Sequence, residues 1–397
     1  MRHSAETIVR IILFIGIAAV LAGCGTSVSR TNTAVATTSS STATSVNPFT
    51  QWQSKTLASN MAFQQGINAV INGKNYLICN VIYGNSTSQK NMYVTIAILD
   101  ISRPDIPVEI SSLQTGQDDK PYICNLKLNG SILYVLTIDH LWIIDVSDPS
   151  QPKNVGQMPL IGATNIEESG KYAFIMSVTQ TNEQTISTFD LSNPLQPLKI
   201  GQIAVPNIAF VNMMASGNLL FTLASRGLYI YDISAPYFLK QIGYLANTLA
   251  IPTLIAPEFI PNDFFDMALR GNFLYVTSGT DRLLVVDTSN PSAPTIVNEF
   301  ETREQGTEIM ISGETAYMFS YNGAIAFTER IDGLLTGIAI SDSINPKELN
   351  SVSLPAPFIE SVPESYGDMT EANNHLYFFD NRFPIIQIID LSKSPWN

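Results

Sequence analysis

From residue 48 onward the apolar residues come in short β-branched and aromatic runs, each broken by a glycine, asparagine, serine or proline. Three stretches superpose: LYVLTIDHLWIIDVSDPSQPKNVGQMPL (133–160), LLFTLASRGLYIYDISAPYFLKQIGYL (219–245) and LYVTSGTDRLLVVDTSNPSAPTIVNEF (274–300). Each holds a β-rich run, a short loop, an apolar run ending in Asp, a turn, and a further β-rich run. No window of this region keeps apolar residues at i, i+3, i+4 and i+7 for three turns, so the pattern predicts strands and almost no helix.

Asp100, Asp145, Asp190, Asp232, Asp287, Asp342 and Asp390 mark seven copies of this unit. The signature D-x-S-x-P is intact after Asp145, Asp190, Asp232 and Asp287. Asp and Ser cap such a turn through side-chain to backbone bonds, and proline stops the strand. The sixth copy has Ile344 in place of the serine, and the seventh carries Pro395 one residue late.

This array resembles the LVIVD-repeat family of bacterial and archaeal surface proteins. The resemblance covers residues 48–397 and implies an all-β fold, a single seven-bladed β-propeller with four-stranded antiparallel blades. It also implies a cell-surface or envelope location, and it carries no established reaction. The last copy stops one strand short, and residues 50–58 (TQWQSKTLA) resemble the outermost strand of the second copy. An N-terminal strand is therefore expected to complete the last blade and close the ring.

The N-terminus has a different character. Arg2 and Arg10 precede an apolar run from Ile11 to Gly23, too short to span a bilayer and suited to a signal peptide. Leu21-Ala22-Gly23-Cys24 looks like the lipobox of bacterial lipoproteins, which implies cleavage before Cys24 and lipidation of its thiol. Residues 1–23 then form the signal, 24–47 a Ser/Thr-rich tether, and 48–397 the propeller. Gly25 stands where aspartate signals inner-membrane retention in some bacteria. The 23 residues after Cys24 have a mean reach on the order of 25 Å.

Composition narrows the function. Formal charge is −13, with 21 basic and 34 acidic residues, a balance that excludes nucleic acid as a partner. Three cysteines and three histidines exclude a disulfide-dense scaffold and a zinc framework. No nucleophile elbow, H-E-x-x-H, P-loop or dinucleotide fingerprint is present, so no catalytic residue and no enzyme activity are expected. Trp52, Trp142 and Trp396 read as packing residues, and His140 and His375 as surface or turn residues.

Aligning the copies exposes one constellation. Each innermost strand ends at Gly73, Gly130, Gly170, Gly217, Gly271, Gly313 or Asn373, and five residues upstream stand Asn68, Asn125, Asn165, Asn212, Asp266, Glu308 and Asp368. In a propeller such a position forms one polar ring at the channel mouth. Its members either satisfy backbone groups where the inner strands begin or form a site. The three carboxylates, on neighbouring blades, would suit a hard cation such as calcium, although no calcium-loop motif supports one and no other cofactor is expected. Cys79 and Cys124 fall at the same end of adjacent blades and are candidates for a disulfide in an exported protein, or for two buried thiols.

Four long segments interrupt the repeats: 81–91, 246–263, 321–335 and 354–367. Two are rich in proline with Leu, Ile and Phe, and all should leave the ring on the channel-mouth face. They are expected either to plug the channel or to form a rim for a protein or surface-polymer partner. The reading is a membrane-anchored, extracytoplasmic binding or assembly platform in the bacterial envelope, touching the membrane through its lipid alone. A structural envelope or adhesion component is the first alternative, and a hydrolase or lyase using the mouth carboxylates the second.

Overall fold

The computed structural model describes residues 49–53, 61–83, 93–115, 123–137, 139–179, 183–205, 210–224, 227–247, 264–278, 281–304, 306–322, 332–354, 367–380 and 385–393. These residues form seven sheets of four antiparallel strands. Blades one to six run in order through Met61–Gln114, Ile123–Pro159, Ala163–Val205, Phe210–Ala246, Phe264–Glu301 and Gly306–Leu354. Blade seven takes three strands from Gly367–Asp390 and its outer strand from Phe49–Gln53. The only helical element among the described residues is one 3-10 turn, Leu391–Lys393. No helix among them is long and apolar enough to cross a membrane.

The closure expected from the ends of the chain is present. Phe49 lies opposite Ile389 and Gln53 opposite Ile385 in an antiparallel pair. The remainder of the expected strand, 54–58, lies outside the described residues.

Burial follows each strand's place in its blade. Every residue of the second strand Ile132–Thr137 is buried, because neighbouring blades cover both faces of the sheet. The outer strand Thr295–Glu301 alternates between exposed and partly buried positions, since only its inward side chains meet protein. The core is a series of inter-blade layers. One packs Leu77, Cys79, Val81 and Leu99 of blade one against Tyr377, Phe379 and Ile386 of blade seven. The opposite face, with Ile78 and Ile98, meets Leu126, Leu133 and Val135 of blade two.

The repeated motif makes the caps its sequence implies. Asp145 Oδ1 accepts from the backbone N–H of Ser147 at 2.8 Å, Asp190 from Ser192 at 2.7 Å and Asp287 from Ser289 at 2.8 Å. The seventh copy keeps the cap, Asp390 accepting from the Ser392 N–H. In the sixth the place expected for Asp342 is held by Ala339, which pairs with Thr315 as Asp145 pairs with Ile132. Asp342 instead stands where Asp148 does and accepts from the N–H groups of Ile344 and Asn345. Hydrogen bonds from the side chains of Ser147, Ser192, Asn345 and Lys393, together with these backbone N–H groups, lower the pKa of these aspartates. The turns also join blades. Tyr134 of blade two donates to the Pro194 carbonyl of blade three at 2.8 Å, and Tyr275 of blade five to Ser343 of blade six at 3.0 Å.

Strand direction divides the disc into two faces. The inner hairpin turns and the Asp-capped turns lie on one, the turn face. The beginnings of the inner strands and the connections between blades lie on the other, the mouth face.

Candidate functional site

In six of the seven blades the inner strand slips register near its start, for instance between Ala163 and Asn165, Phe210 and Asn212, and Gly306 and Glu308. Such a bulge re-aims a side chain and frees backbone groups. The ring residue answers one of those groups itself. Asn212 Oδ1 accepts from the Met213 N–H at 2.6 Å, Asp266 Oδ1 from Met267 at 2.8 Å, and Asp368 Oδ1 from Met369 at 2.9 Å.

The other end of the side chain reaches the next blade. Asn212 Nδ2 donates to Asp266 Oδ1, and Asp266 Oδ2 accepts from the Ile309 N–H of blade six at 2.8 Å. Asp368 Oδ2 accepts from the Gly66 N–H of blade one at 3.0 Å, across the closure. Ring residues thus bond between blades at three junctions, four to five, five to six and seven to one, and Asn125 and Asn165 stand at the matching bulges of blades two and three. The Asn165 Oδ1 has no partner among the described residues.

Asn68 does not occupy the ring position expected for it. The bulge of blade one lies between Phe63 and Gln65, and the N–H that receives Asp368 belongs to Gly66. Gln65 is therefore the counterpart of Glu308, whose following residue Ile309 receives Asp266. The inner hairpin of blade one is longer, with positive φ at both Asn72 and Gly73, so counting back from Gly73 stops short of the bulge. Asn68 instead donates its N–H to Thr370 Oγ1 at 3.2 Å.

The three acids share an unusual protonation. Burial raises Asp266 to about 6 despite the N–H donors of Ile309 and Met267 that favour its charge. Burial, then the charges of Asp266 and Asp368, push Glu308 well above the ordinary carboxylate range. Burial likewise carries Asp368 to about 7, against the N–H groups of Gly66 and Met369. The side-chain hydrogen bond between Glu308 and Asp266 lowers Asp266 and raises Glu308.

Both oxygens of Asp266 face N–H donors and those of Asp368 accept from Gly66 and Met369, so these two acids are occupied with hydrogen bonds to protein groups, whereas a calcium cage needs its oxygens turned inward. Among the described residues the carboxylates and histidines that converge are Asp105, His375 and Asp390, on the turn face between blades seven and one.

The expected bond between Cys79 and Cys124 also gives way. Cys79 is a free, buried thiol on the face of blade one that packs against Tyr377 and Phe379 of blade seven. Cys124 belongs to blade two, which lies on the other side of that sheet; its own side chain is outside the described residues. Strand alternation decides the matter: Ile78 faces blade two and Cys79 faces away. Burial raises the Cys79 thiol well above its ordinary value, and nearby Asp368 and Glu109 add to the effect.

Sequence reasoning missed the groups at the seam. His375 Nε2 lies 3.2 Å from Asp105 Oδ1 of blade one, its Nδ1 lies 2.8 Å from the Asn373 carbonyl, and Lys393 Nζ lies 2.7 Å from Asp390 Oδ2. No repeat position signalled them: the place of His375 is held in blade three by Tyr172, which pairs with Asp190 as His375 pairs with Asp390. Also missed was Lys127 of blade two, paired with Glu167 of blade three at 2.7 Å, beside Glu168, which burial raises to about 7.

Most of the four long segments, and Cys24 with its tether, lie outside the described residues. Their flanks are defined. Asn247 and Phe264, Asn322 and Asp332, and Leu354 and Gly367 all stand on the mouth face of blades four to seven. Asp266 and Asp368 follow two of these segments within three residues.

The LVIVD repeat is matched at residues 122–158 and 263–302, the second and fifth blades. The chain is a seven-bladed propeller with LVIVD repeats in those two blades. A search of curated proteins finds no relative of it. Solved structures share the fold of this LVIVD propeller at low identity. A protein from Lactobacillus plantarum is 12% identical with a TM-score of 0.54, over 73% of this chain and 85% of that one. The Pan2 WD40 domain of Neurospora crassa is 8% identical with a TM-score of 0.55, over 82% and 88%. A hypothetical selenium-binding protein from Sulfolobus tokodaii is 10% identical with a TM-score of 0.50, over 75% and 92%. These likenesses speak to the propeller alone.

Proposed function

We propose that this LVIVD propeller is a lipid-anchored, extracytoplasmic platform that binds a protein or surface polymer through its mouth face, without catalysis. The observation that carries the reading is that the residues flanking three long segments, Asn247 and Phe264, Asn322 and Asp332, and Leu354 and Gly367, all stand on the mouth face of blades four to seven, the blades that hold Asp266, Glu308 and Asp368. Apolar segments around an acidic centre have the anatomy of an interface, with an apolar contact area and polar groups that fix register. Residues 1–24 support the anchor, through a short apolar run ending in Leu-Ala-Gly-Cys.

One observation favours the enzyme reading, the hydrogen-bonded pair of Asp266 and Glu308. Against it, Asp266 spends Oδ1 on Asn212 of blade four and Oδ2 on Ile309 of blade six, which leaves it poorly placed to meet a substrate.

The test compares the wild-type chain with a variant lacking 249–259, each cross-linked in its own membrane and purified. Loss of one cross-linked partner with an unchanged melting temperature supports the platform. Unchanged cross-linking with a large loss of stability assigns the segment to plugging the channel.

A further inference from the structure

The turn face carries a band of apolar side chains standing in solvent. Phe238 is 80% exposed and Tyr237 54%, both in the capped turn of blade four; Leu198, at the start of the outer strand of blade three, is 64% exposed. Leu195, Ile106 and Ile344 stand exposed in the corresponding turns of blades three, one and six. Eight of the thirteen large exposed apolar side chains among the described residues lie on this face, with Val70 and Val108 completing the set. The motif itself does not require them, because the cap needs the Asp side chain and backbone N–H groups only.

The path of the chain says what meets this face. Phe49 pairs with Ile389, next to Asp390 and its capped turn. The described chain therefore enters the propeller on the turn face, and the tether that precedes Phe49 departs from there. Its mean reach, on the order of 25 Å, only matches the height of a seven-residue strand, about 23 Å. A tether fixed at Cys24 thus brings the turn face to the bilayer more readily than the mouth face.

We propose that the turn face rests on the lipid surface, with Phe238, Tyr237, Leu198 and Leu195 seated in the headgroup region and the mouth face turned outward. This rests on the lipid anchor proposed above. Aromatic and aliphatic tips at that depth gain apolar burial without a membrane-spanning element. The protein then touches the membrane through more than its lipid.

The test uses the full chain, processed and lipidated, in vesicles of phosphatidylethanolamine and phosphatidylglycerol with or without bromine on the acyl chains. Phe238→Trp reports the turn face, and Ile161→Trp reports the mouth face, where Ile161 is 66% exposed in the connection between blades two and three. Brominated lipid is expected to quench the emission added by F238W about two-fold while leaving that added by I161W unchanged. Sedimentation with the vesicles is read first. Wild-type protein left in the supernatant overturns the anchor and the docking together. Sedimenting protein in which the F238W emission is unquenched, or the I161W emission is quenched as strongly, overturns the docking and leaves the anchor standing.

Discussion

The Tyr377 hydroxyl donates to the Pro104 carbonyl at 3.3 Å, so the last blade holds the first capped turn of the chain. Tyr134 and Tyr275 make the same bond between consecutive blades. The seam therefore repeats the chemistry of an ordinary blade junction and adds His375 and Asp105 to it. Each Tyr→Phe variant removes one hydrogen bond and should cost about 1 kcal/mol. The three sites are far apart, so denaturant unfolding of the triple variant should show additive losses of about 3 kcal/mol.

The outer strand Phe49–Gln53 covers the edge of Ile385–Asp390. Deleting residues 49–53 leaves that edge open on a three-stranded blade. Light scattering should then show self-association at concentrations where the parent chain does not associate, together with a lower melting temperature.

Stability should fall as pH rises. Asp266 and Asp368 have folded pKa values of about 6 and about 7, above the ordinary 3.8, and Glu308 is raised as well. A raised carboxyl pKa means the native state binds protons that the unfolded chain has released. That stabilisation is complete below about pH 4 and is lost progressively as pH climbs through 6 and 7, with Asp266 alone contributing on the order of 3 kcal/mol. Other groups oppose it in acid: Asp390, drawn down to about 2 by Lys393 and Ser392, loses its bonds only near that pH. Denaturant unfolding at pH 5 and pH 8 should favour pH 5, and Asp266→Asn should flatten the difference while lowering stability at both.

Cys79 should resist alkylation in the folded protein, because the thiol is buried and its pKa is raised. Mass spectrometry after iodoacetamide treatment should find Cys79 unmodified under native conditions and labelled in guanidinium. A peptide linked through Cys79 to Cys124 would contradict the layer that places Cys79 against blade seven.

The blade count and the closure could be read from the chain because both depend on periodicity. The turn after Asp145 recurs once per blade, with Ala339 in the aspartate's place in blade six, and the last blade needs a fourth strand from elsewhere in the chain. The ring was legible for Asn212, Asp266, Glu308 and Asp368, where turn and bulge keep a fixed separation. Asn68 was misplaced because the longer hairpin of blade one breaks that separation, a change set by pairing with Asn80 and Cys79 rather than by the turn residues. The side on which Cys79 lies depends on strand alternation within a blade that has neighbours on both sides, which spacing along the chain does not encode. The seam of His375, Asp105 and Lys393 joins residues from opposite ends of the sequence.

Pairing Phe49 with Ile389 imposes an order of events. Most contacts of a blade are hairpins that can form as soon as their own strands are available, while this one must wait for nearly the whole chain. The first residues of the propeller to emerge are then the last to find their partner, and until they do the nascent ring carries an unmatched strand. Long-range closure of this kind is slow, so assembly of the protein should be paced by its two ends meeting rather than by any single blade.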